Sequence, residues 1–416
     1  MIDLYFMREN PQLFRDAILK KEPGFDVDRL IVLDKQLREA QRVAEDIRHR
    51  RKNIAAQGTS QPISDQTREQ ARELHQQLKE CEQSIETLNT EFKNLYLFCP
   101  NIPSNDVPTG NKESNLVVKT YGTKPEFSFQ PQHHVSLNEK LAWFDFAAGA
   151  RLAGSQFVWY NTEGASLIYT LSLLMAQHNQ KHGYALVFPP YLVNEAALEG
   201  AAQFPKFRDA VYSVRDEDLY LIPTSEMSLT AFYRDHVFAQ EDLPVRMTAL
   251  TSCFRREAGG YGSSERGLIR IHQFEKAELY TFCTPEQAAA EHERMINCAE
   301  ELLQKLGLHY RISLLAAQDS SFPAAKTYDL EVWMPGQQEY REVSSSSLCS
   351  DFQARRSAIK YKTSAGAKSQ LVYTLNTSSL ALPRIMVALM ETYQQADGSI
   401  TLPEILNSVT WHRKST

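Results

Sequence analysis

The sequence has no long hydrophobic run, no cysteine pair at metal-ligand spacing and no surplus of basic charge. Each shortage removes a class of function. No apolar stretch approaches the roughly 20 residues that a membrane-spanning helix needs, so no membrane partner is expected. The opening residues, Met-Ile-Asp-Leu-Tyr-Phe-Met-Arg-Glu-Asn, bring acids early and hold no apolar core, so a secretory signal is not expected. The six cysteines, Cys81, Cys99, Cys253, Cys283, Cys298 and Cys349, are scattered. That spacing supports neither a zinc cluster nor a disulfide framework, and a reducing cytoplasmic compartment is expected. A net charge of −6 argues against a molecule that is electropositive overall. No DNA partner is expected, and any RNA contact must use a local basic patch. What is present is ordinary for a soluble protein: 43% hydrophobic and 23% charged residues in 416, enough for a large core and more than one domain.

The first hundred residues carry two apolar stripes. One runs Leu30, Leu33, Leu37, Ala40, Ala44, Ile47, Ile54; the other runs Ala71, Leu74, Leu78, Cys81, Ile85, Leu88, Phe92, Leu95. Steps of three and four make a heptad seam. Between them, Gln57-Gly58-Thr59-Ser60-Gln61-Pro62 reads as a helix stop and a turn. The pattern predicts an antiparallel coiled-coil hairpin, each helix on the order of 45 Å long, whose narrow seams bury mainly each other. Near its tip sit Arg48, His49, Arg50, Arg51 and Lys52, and acids thin out after Asp46. A charge run on a helix is usually a solvated face; a phosphate-seeking patch is the second reading. Cys99-Pro100-Asn101-Ile102-Pro103-Ser104-Asn105-Asp106-Val107-Pro108 is too rich in proline for a helix. The expected domains are an arm over 1–100, a linker over 101–120 and a catalytic domain over 121–416.

The stretch 254–282 organises the remainder. Gly259, Gly260, Gly262 and Gly267 punctuate its middle, and strand-forming residues flank them. An antiparallel hairpin with a long loop is predicted. In a returning strand, alternation puts Arg270, His272, Phe274, Lys276 and Glu278 on one face, and Ile269, Ile271, Gln273, Glu275 and Ala277 on the other. A solvated sheet face accounts for Glu275 and Lys276. It does not account for a ring in the middle of a polar row. Arg, aromatic and Glu at two-residue steps suit the floor of a site for a phosphate, a flat base and an ammonium group.

Other elements follow from period and punctuation. Helices are predicted over 138–153, where Leu141, Phe144 and Ala148 are spaced for packing, and over 167–178 and 285–306. Strands are predicted over 155–160 and over 326–333, the latter returning over 340–345 after the Pro335-Gly336 turn. A strand over 371–376 is expected to lead into a helix over 378–393. Thr224-Ser225-Glu226 reads as a helix start, a position that also suits a small zwitterion.

Phe254-Arg255-x-Glu257, the glycine-bearing loop, and Arg266-Gly267-Leu268-Ile269-Arg270-x-His272-Gln273-Phe274-x-Lys276-x-Glu278 together resemble motif 2 of the class II aminoacyl-tRNA synthetases, in the wording of the seryl-tRNA synthetases. Residues 183–194, with Val187-Phe188-Pro189-Pro190, resemble motif 1, which helps build the dimer interface of that class. Residues 371–393 resemble motif 3, and Pro100-Asn101-Ile102-Pro103 matches the family's interdomain junction. The resemblance covers nearly the whole chain. It implies an α+β fold, an antiparallel sheet flanked by helices with an N-terminal coiled-coil arm, in a homodimer. The implied reaction is ATP-dependent activation of L-serine to seryl-adenylate. Transfer to tRNA(Ser) follows, and to tRNA(Sec) where that tRNA exists.

The resemblance also implies a site. Serine would meet Thr224, Ser225, Glu226, Arg255, Glu278 and Ser378. ATP would meet Arg255, Arg256, Glu257, Arg270, Ile271, Phe274, Glu342, Val343, Ser344, Ser345 and Arg384. Mg²⁺ would sit at Glu342, with Glu331 as a second metal candidate. Arg48, Arg50, Arg51 and Lys52 would grip tRNA. Arg255, Arg384 and Glu342 are the catalytic candidates. A carboxylate attacking a phosphate brings two anions together, and planar guanidinium groups screen them in pairs. The carboxylate is already a nucleophile, so placement and charge stabilisation suffice. A buried acceptor at Glu278 for the substrate hydroxyl would reject alanine.

Three positions depart from the family pattern. Leu348 stands where an amide is usual, Asn376-Thr377-Ser378-Ser379 lacks the usual glycines, and Pro383 precedes Arg384, so it must open the helix or kink it. Two other functions fit parts of the chain: a paralogue that loads a carrier protein, and a non-catalytic coiled-coil binder. The long arm argues against the first. Arg255, Glu342 and Arg384 together argue against the second.

Overall fold

The computed structural model describes residues 1–58, 64–257 and 267–408. It divides into two compact units, one of Asp3–Pro100 and one of Met1–Ile2 with Asn101–Thr416.

The first unit is the hairpin. Helix α1 (Val27–Gly58) and helix α2 (Asp65–Leu97) are its two limbs. Ser64 starts α2, its side chain accepting from Thr67 N–H at 3.2 Å. Leu30, Leu33, Leu37, Ala44 and Ile47 of α1 and Leu78 and Phe92 of α2 are buried, and most other limb positions are not. Ala44, Ile47 and Leu78 form one cluster with Leu74, Cys81 and Ile85. The connector expected at 59–62 lies outside the described residues.

The second unit is built on an eight-stranded sheet. In chain order its strands are β1 (Leu116–Tyr121), β2 (Ala185–Val187), β3 (Val245–Phe254), β4 (Gln273–Cys283), β5 (Tyr310–Leu314), β6 (Lys326–Met334), β7 (Glu339–Ser350) and β8 (Tyr373–Ala381). Their order in the sheet is β1-β5-β6-β7-β8-β4-β3-β2, and only β2 and β3 run parallel. Alternation separates the faces. Leu330, Val332 and Val343 join one core with Leu171 and Met175 of helix α3 (Thr162–Lys181), Leu302 and Leu303 of α4 (Ala288–Lys305) and Ile385, Met386 and Leu389 of α5 (Leu382–Thr392). Asp329 and Glu331, the intervening residues of β6, instead line a cavity.

Four sequence expectations are corrected here. The segment 101–120 is not a free linker. Asn101 N–H donates to Phe322 O at 3.1 Å, Ser104 N–H to Ala325 O at 2.8 Å, and Leu116–Tyr121 is the sheet's edge strand.

The helix expected over 138–153 is two helices, His134–Leu141 and Phe146–Ala153, joined through Ala142 at φ 51°. The side chains of Asn138 and Asp145 cause the break. Asn138 bonds both the N–H and the C=O of Phe144, and Asp145 accepts from Ala148 N–H at 2.8 Å. Short polar side chains compete with the helix for its own backbone.

The returning strand of the hairpin begins at Gln273, so the two-face alternation does not reach Arg270 and His272. Gly267–Ile269 is a 3₁₀ turn. The hairpin closes where Arg255 N–H donates to His272 O at 2.9 Å. Gly259, Gly260 and Gly262 lie outside the described residues.

The last correction is at motif 3. The helix expected from 378 begins only at Leu382, because β8 runs through to Ala381 with a register shift between Ser378 and Leu380. Of the two positions open to Pro383, the first turn of α5 is the one it takes.

Gly164 gives a test of this packing. A Cβ built there would lie 2.2 Å from Trp143 O, a backbone atom that already accepts from Asn161 N–H at 2.9 Å. Gly164→Ala is expected to destabilise by about 1–3 kcal/mol in urea unfolding. Gly24→Ala, which meets nothing within 4 Å, should be close to neutral.

Candidate active site

The registers bring distant residues face to face. Pairing of β4 with β8 sets Glu278 opposite Ser378. Pairing of β6 with β7 sets Asp329 opposite Ser345 and Glu331 opposite Glu342. These strands floor a cavity of about 500 Å³. Arg255, Phe274, Glu342 and Arg384 all line it, as do Glu257, Arg270, Ile271, Val343 and Ser378. Of the residues expected at the nucleotide, Arg256 and Ser344 do not. Arg256 is exposed with its N–H on Ala210 O, and Ser344 Oγ donates to Ser378 O. Ser345 is also absent from the lining and is the cross-strand partner of Asp329.

The cations are tethered, not loose. Arg384 Nη1 donates to Glu342 O at 2.7 Å and lies 3.3 Å from its carboxylate, while Nε reaches Ile269 O at 3.4 Å. The Arg255 guanidinium stands 5.2 Å from the centre of the Phe274 ring, with Nε on Pro223 O at 3.3 Å. Arg270 and Glu257 pair at 2.5 Å, and Glu257 holds a positive φ of 46°.

Behind this lies a buried polar network. Lys276 Nζ donates to Thr224 Oγ1 at 2.8 Å and ion-pairs with Glu278. Thr224 Oγ1 donates to Glu278 Oε2 at 3.1 Å and accepts from Glu226 N–H at 3.2 Å. Thr224, Ser225, Lys276 and Glu278 are all buried. The expected helix start is present: Glu226–Phe232 is a helix, and Thr224 serves both its first turn and the network. Ser225 Oγ has no partner among the described residues. The Glu226 carboxyl is pushed up to about 7, chiefly by burial and then by the charge of Glu278.

The acidic rim divides in two. Glu331 is held by Arg311, at 2.9 and 3.3 Å, and by Ser313 Oγ at 2.6 Å. Asp329 is different. Its Oδ1 is sealed from solvent and has no hydrogen-bond partner among the described residues. Burial, and then the nearby charge of Glu342, hold its carboxyl well above the usual range. Sequence reasoning passed over Asp329. The signal was there, since it stands two residues from Glu331 on one strand.

Sequence reasoning also missed the buried pair His134 and Glu391. His134 Nε2 accepts from Leu268 N–H at 3.2 Å, so Nδ1 carries the proton donated to Glu391 at 2.9 Å. Glu391 also accepts from Gly336 N–H at 2.9 Å. One buried hydrogen-bonded pair thus pins the hairpin and the β6–β7 turn to the helix bearing Arg384. Gly267 permits this: φ is 77°, and a Cβ would lie 2.1 Å from His134 Nε2. Leu348 packs with Leu279 and Leu375 in an apolar cluster and is no part of the cavity lining.

On the arm, Arg48 bridges Glu45 and, on the other limb, Glu82, at 3.4 and 3.0 Å. Arg50 pairs with Asp46 at 2.9 Å. Lys52 is exposed and Arg51 is partly buried.

Known proteins resemble this chain over its whole length. A family model described as Seryl-tRNA synthetase N-terminal domain matches residues 1–103, and one described as tRNA synthetase class II core domain (G, H, P, S and T) matches residues 210–393. The serine–tRNA ligase of Chlamydia felis is 42% identical, with 98% of this chain and 97% of the relative covered. That of Desulfotalea psychrophila is 41% identical, with 98% of each covered. Seryl-tRNA synthetase from Pyrococcus horikoshii, solved complexed with ATP, superposes with a TM-score of 0.93 at 33% identity, covering 98% of each chain. The cytoplasmic enzyme from Naegleria fowleri, in complex with AMP, gives 0.86 at 26% identity, covering 98% and 97%. With both family models on one chain and end-to-end identity above 40%, the protein belongs to the seryl-tRNA synthetase family of class II aminoacyl-tRNA synthetases.

Proposed function

We propose that this enzyme joins L-serine to ATP, giving seryl-adenylate and pyrophosphate, and passes the seryl group to tRNA(Ser), with tRNA(Sec) as a further acceptor where it exists. One observation carries the reading. Arg255, Phe274, Glu342 and Arg384 line a single cavity with Lys276, and Lys276 is bonded in turn to the buried Thr224 and Glu278.

In this reading the serine carboxylate oxygen bonds to the α-phosphorus of ATP as the bond from that phosphorus to the bridging oxygen breaks. No base is needed. Arg255 and Arg384 hold the approaching anions and stabilise charge on the phosphorus oxygens. Phe274 supplies a stacking plate for adenine. Glu257 accepts from the adenine amino group, and Arg270 takes the outer phosphates. Ile271 and Val343, which line the cavity, complete the nucleotide contacts. Ser378, Glu278 and Thr224–Glu226 hold serine by its hydroxyl and ammonium. A divalent cation suits the acidic rim, where Asp329 Oδ1 is buried without a partner beside Glu342. Glu342, Ser345 and Asp329 would hold Mg²⁺, with Glu331 less available because Arg311 engages it. Bound there, the ion supplies charge neutralisation for the phosphates.

Residues 1–100 act as the tRNA-gripping arm. Arg48 and Arg50 sit in exposed ion pairs, weak enough for RNA phosphates to displace, beside Arg51 and Lys52. A homodimer is favoured by an exposed apolar patch around the edge strand β2: Leu186, Phe188 and Leu192, with Tyr169 and Leu173 on α3. No helix among the described residues is long and apolar enough to cross a membrane. All six cysteines are free, which suits a cytoplasmic setting.

Arg255→Ala should lower serine-dependent ATP–pyrophosphate exchange about 100- to 1000-fold with an unchanged unfolding midpoint; near-normal exchange would refute its role. Deleting residues 30–95 should impair tRNA charging at least tenfold more than exchange. Equal loss in both assays would overturn the arm assignment. Glu226→Gln should raise the KM for serine while leaving the KM for ATP within about twofold.

A further inference from the structure

We propose that Gln353 is a positioning residue of the serine pocket: its amide, locked in one orientation, turns the Glu226 carboxylate so that one oxygen is saturated by the protein and the other is kept for the substrate. The proposal rests on the reading of Thr224–Glu226 as the serine-binding loop.

Gln353 lies on a short helix, Phe352–Ser357, and is fully buried. Its Nε2 donates to Glu226 Oε1 at 2.6 Å and to Ala201 O at 3.0 Å. Its Oε1 accepts from Tyr280 OH at 3.0 Å and from Thr374 Oγ1 at 2.7 Å. Both N–H groups and both acceptor sites of the amide are therefore in use. The orientation is forced, since a flipped amide would set its oxygen against a carboxylate and a carbonyl. Asn376 Nδ2 is a second donor to the same Glu226 Oε1, at 3.1 Å. Oε2 of Glu226 has no hydrogen bond among the described residues. One oxygen is spent and one is available to an ammonium or hydroxyl.

The charge balance gives this arrangement a measurable consequence. Around Glu226 stand Glu278, Lys276 and Tyr280 on β4 and Arg255 just past β3. Burial and Glu278 push its carboxyl up, to about 7. The Gln353 hydrogen bond, Lys276 and Arg255 pull it down. A protonated Glu226 cannot attract the substrate ammonium, so the KM for serine should be high at acid pH and fall as pH rises through about 7. Removing the Gln353 donor removes a downward pull, and the fall in KM must then occur at higher pH.

The test is pyrophosphate exchange on the full-length enzyme, with KM for serine and for ATP measured from pH 5.5 to 9. Gln353→Met keeps length and loses the donor. Gln353→Glu keeps shape and replaces the amide by a second carboxyl. Both should move the midpoint of the serine KM profile up by about one unit or more, raising the KM near pH 7 up to about tenfold, while the KM for ATP stays within about twofold. Glu226→Gln should abolish the pH dependence and separates the two levels of inference. If it leaves the serine KM and its profile unchanged, the serine-loop reading falls and takes this proposal with it. If it flattens the profile while both Gln353 variants keep the parent midpoint, only the role of Gln353 is overturned, even where their melting temperatures drop.

Discussion

A buried ammonium facing a buried carboxylate is the constraint on which the catalytic unit turns. Lys276 and Glu278 are two residues apart on β4 and almost wholly shielded from water. Charges in that position are tolerated only when paired and hydrogen-bonded, since an isolated one would cost several kcal/mol. Thr224 completes the set from a different segment. The three can meet only if β4 is in register with its neighbours and the segment before Glu226–Phe232 is seated against it. Misregister by one residue would flip the pair to the opposite face. Fold and pocket are thus specified by the same contacts.

A second junction works by geometry more than by charge. His134 and Glu391 join three segments that carry different parts of the site: the turn at Leu268, the hairpin corner at Gly336 and the helix of Arg384. Arg384 in turn reaches back to Ile269 O and Glu342 O. Arg255 and Arg384 each have at least one hydrogen bond to a backbone carbonyl, and Arg384 is held by the Glu342 carboxylate as well. Groups preorganised in this way need not be ordered at the moment of reaction.

Much of this was legible in the residues. The heptad stripes gave the hairpin because a 3.5-residue period has one geometric meaning. Arg255, Phe274, Glu342 and Arg384 were legible as a group because their order along the chain resembles a family's motifs. Local periodicity failed where side chains intervened in backbone bonding: Asn138 and Asp145 cut a helix that apolar spacing alone would continue. It failed again at Arg270 and His272, which lie between the 3₁₀ turn Gly267–Ile269 and the strand that starts at Gln273. Gln353 and His134 escaped for a common reason. Each matters through partners at least a dozen residues away in sequence, and nothing in their immediate neighbours distinguishes them from ordinary polar residues.

The ion pair between Arg270 and Glu257 bears on which molecules can settle in the cavity. Each group already satisfies the other at 2.5 Å, so an incoming ligand must separate them and replace both. A simple anion could take Arg270 but would strand the Glu257 carboxylate, which is largely shielded from water. A molecule with an anionic end and a hydrogen-bond donor at the other end leaves neither side bereft. In the proposed function that molecule is the nucleotide, with its outer phosphates on Arg270 and its adenine amino group on Glu257.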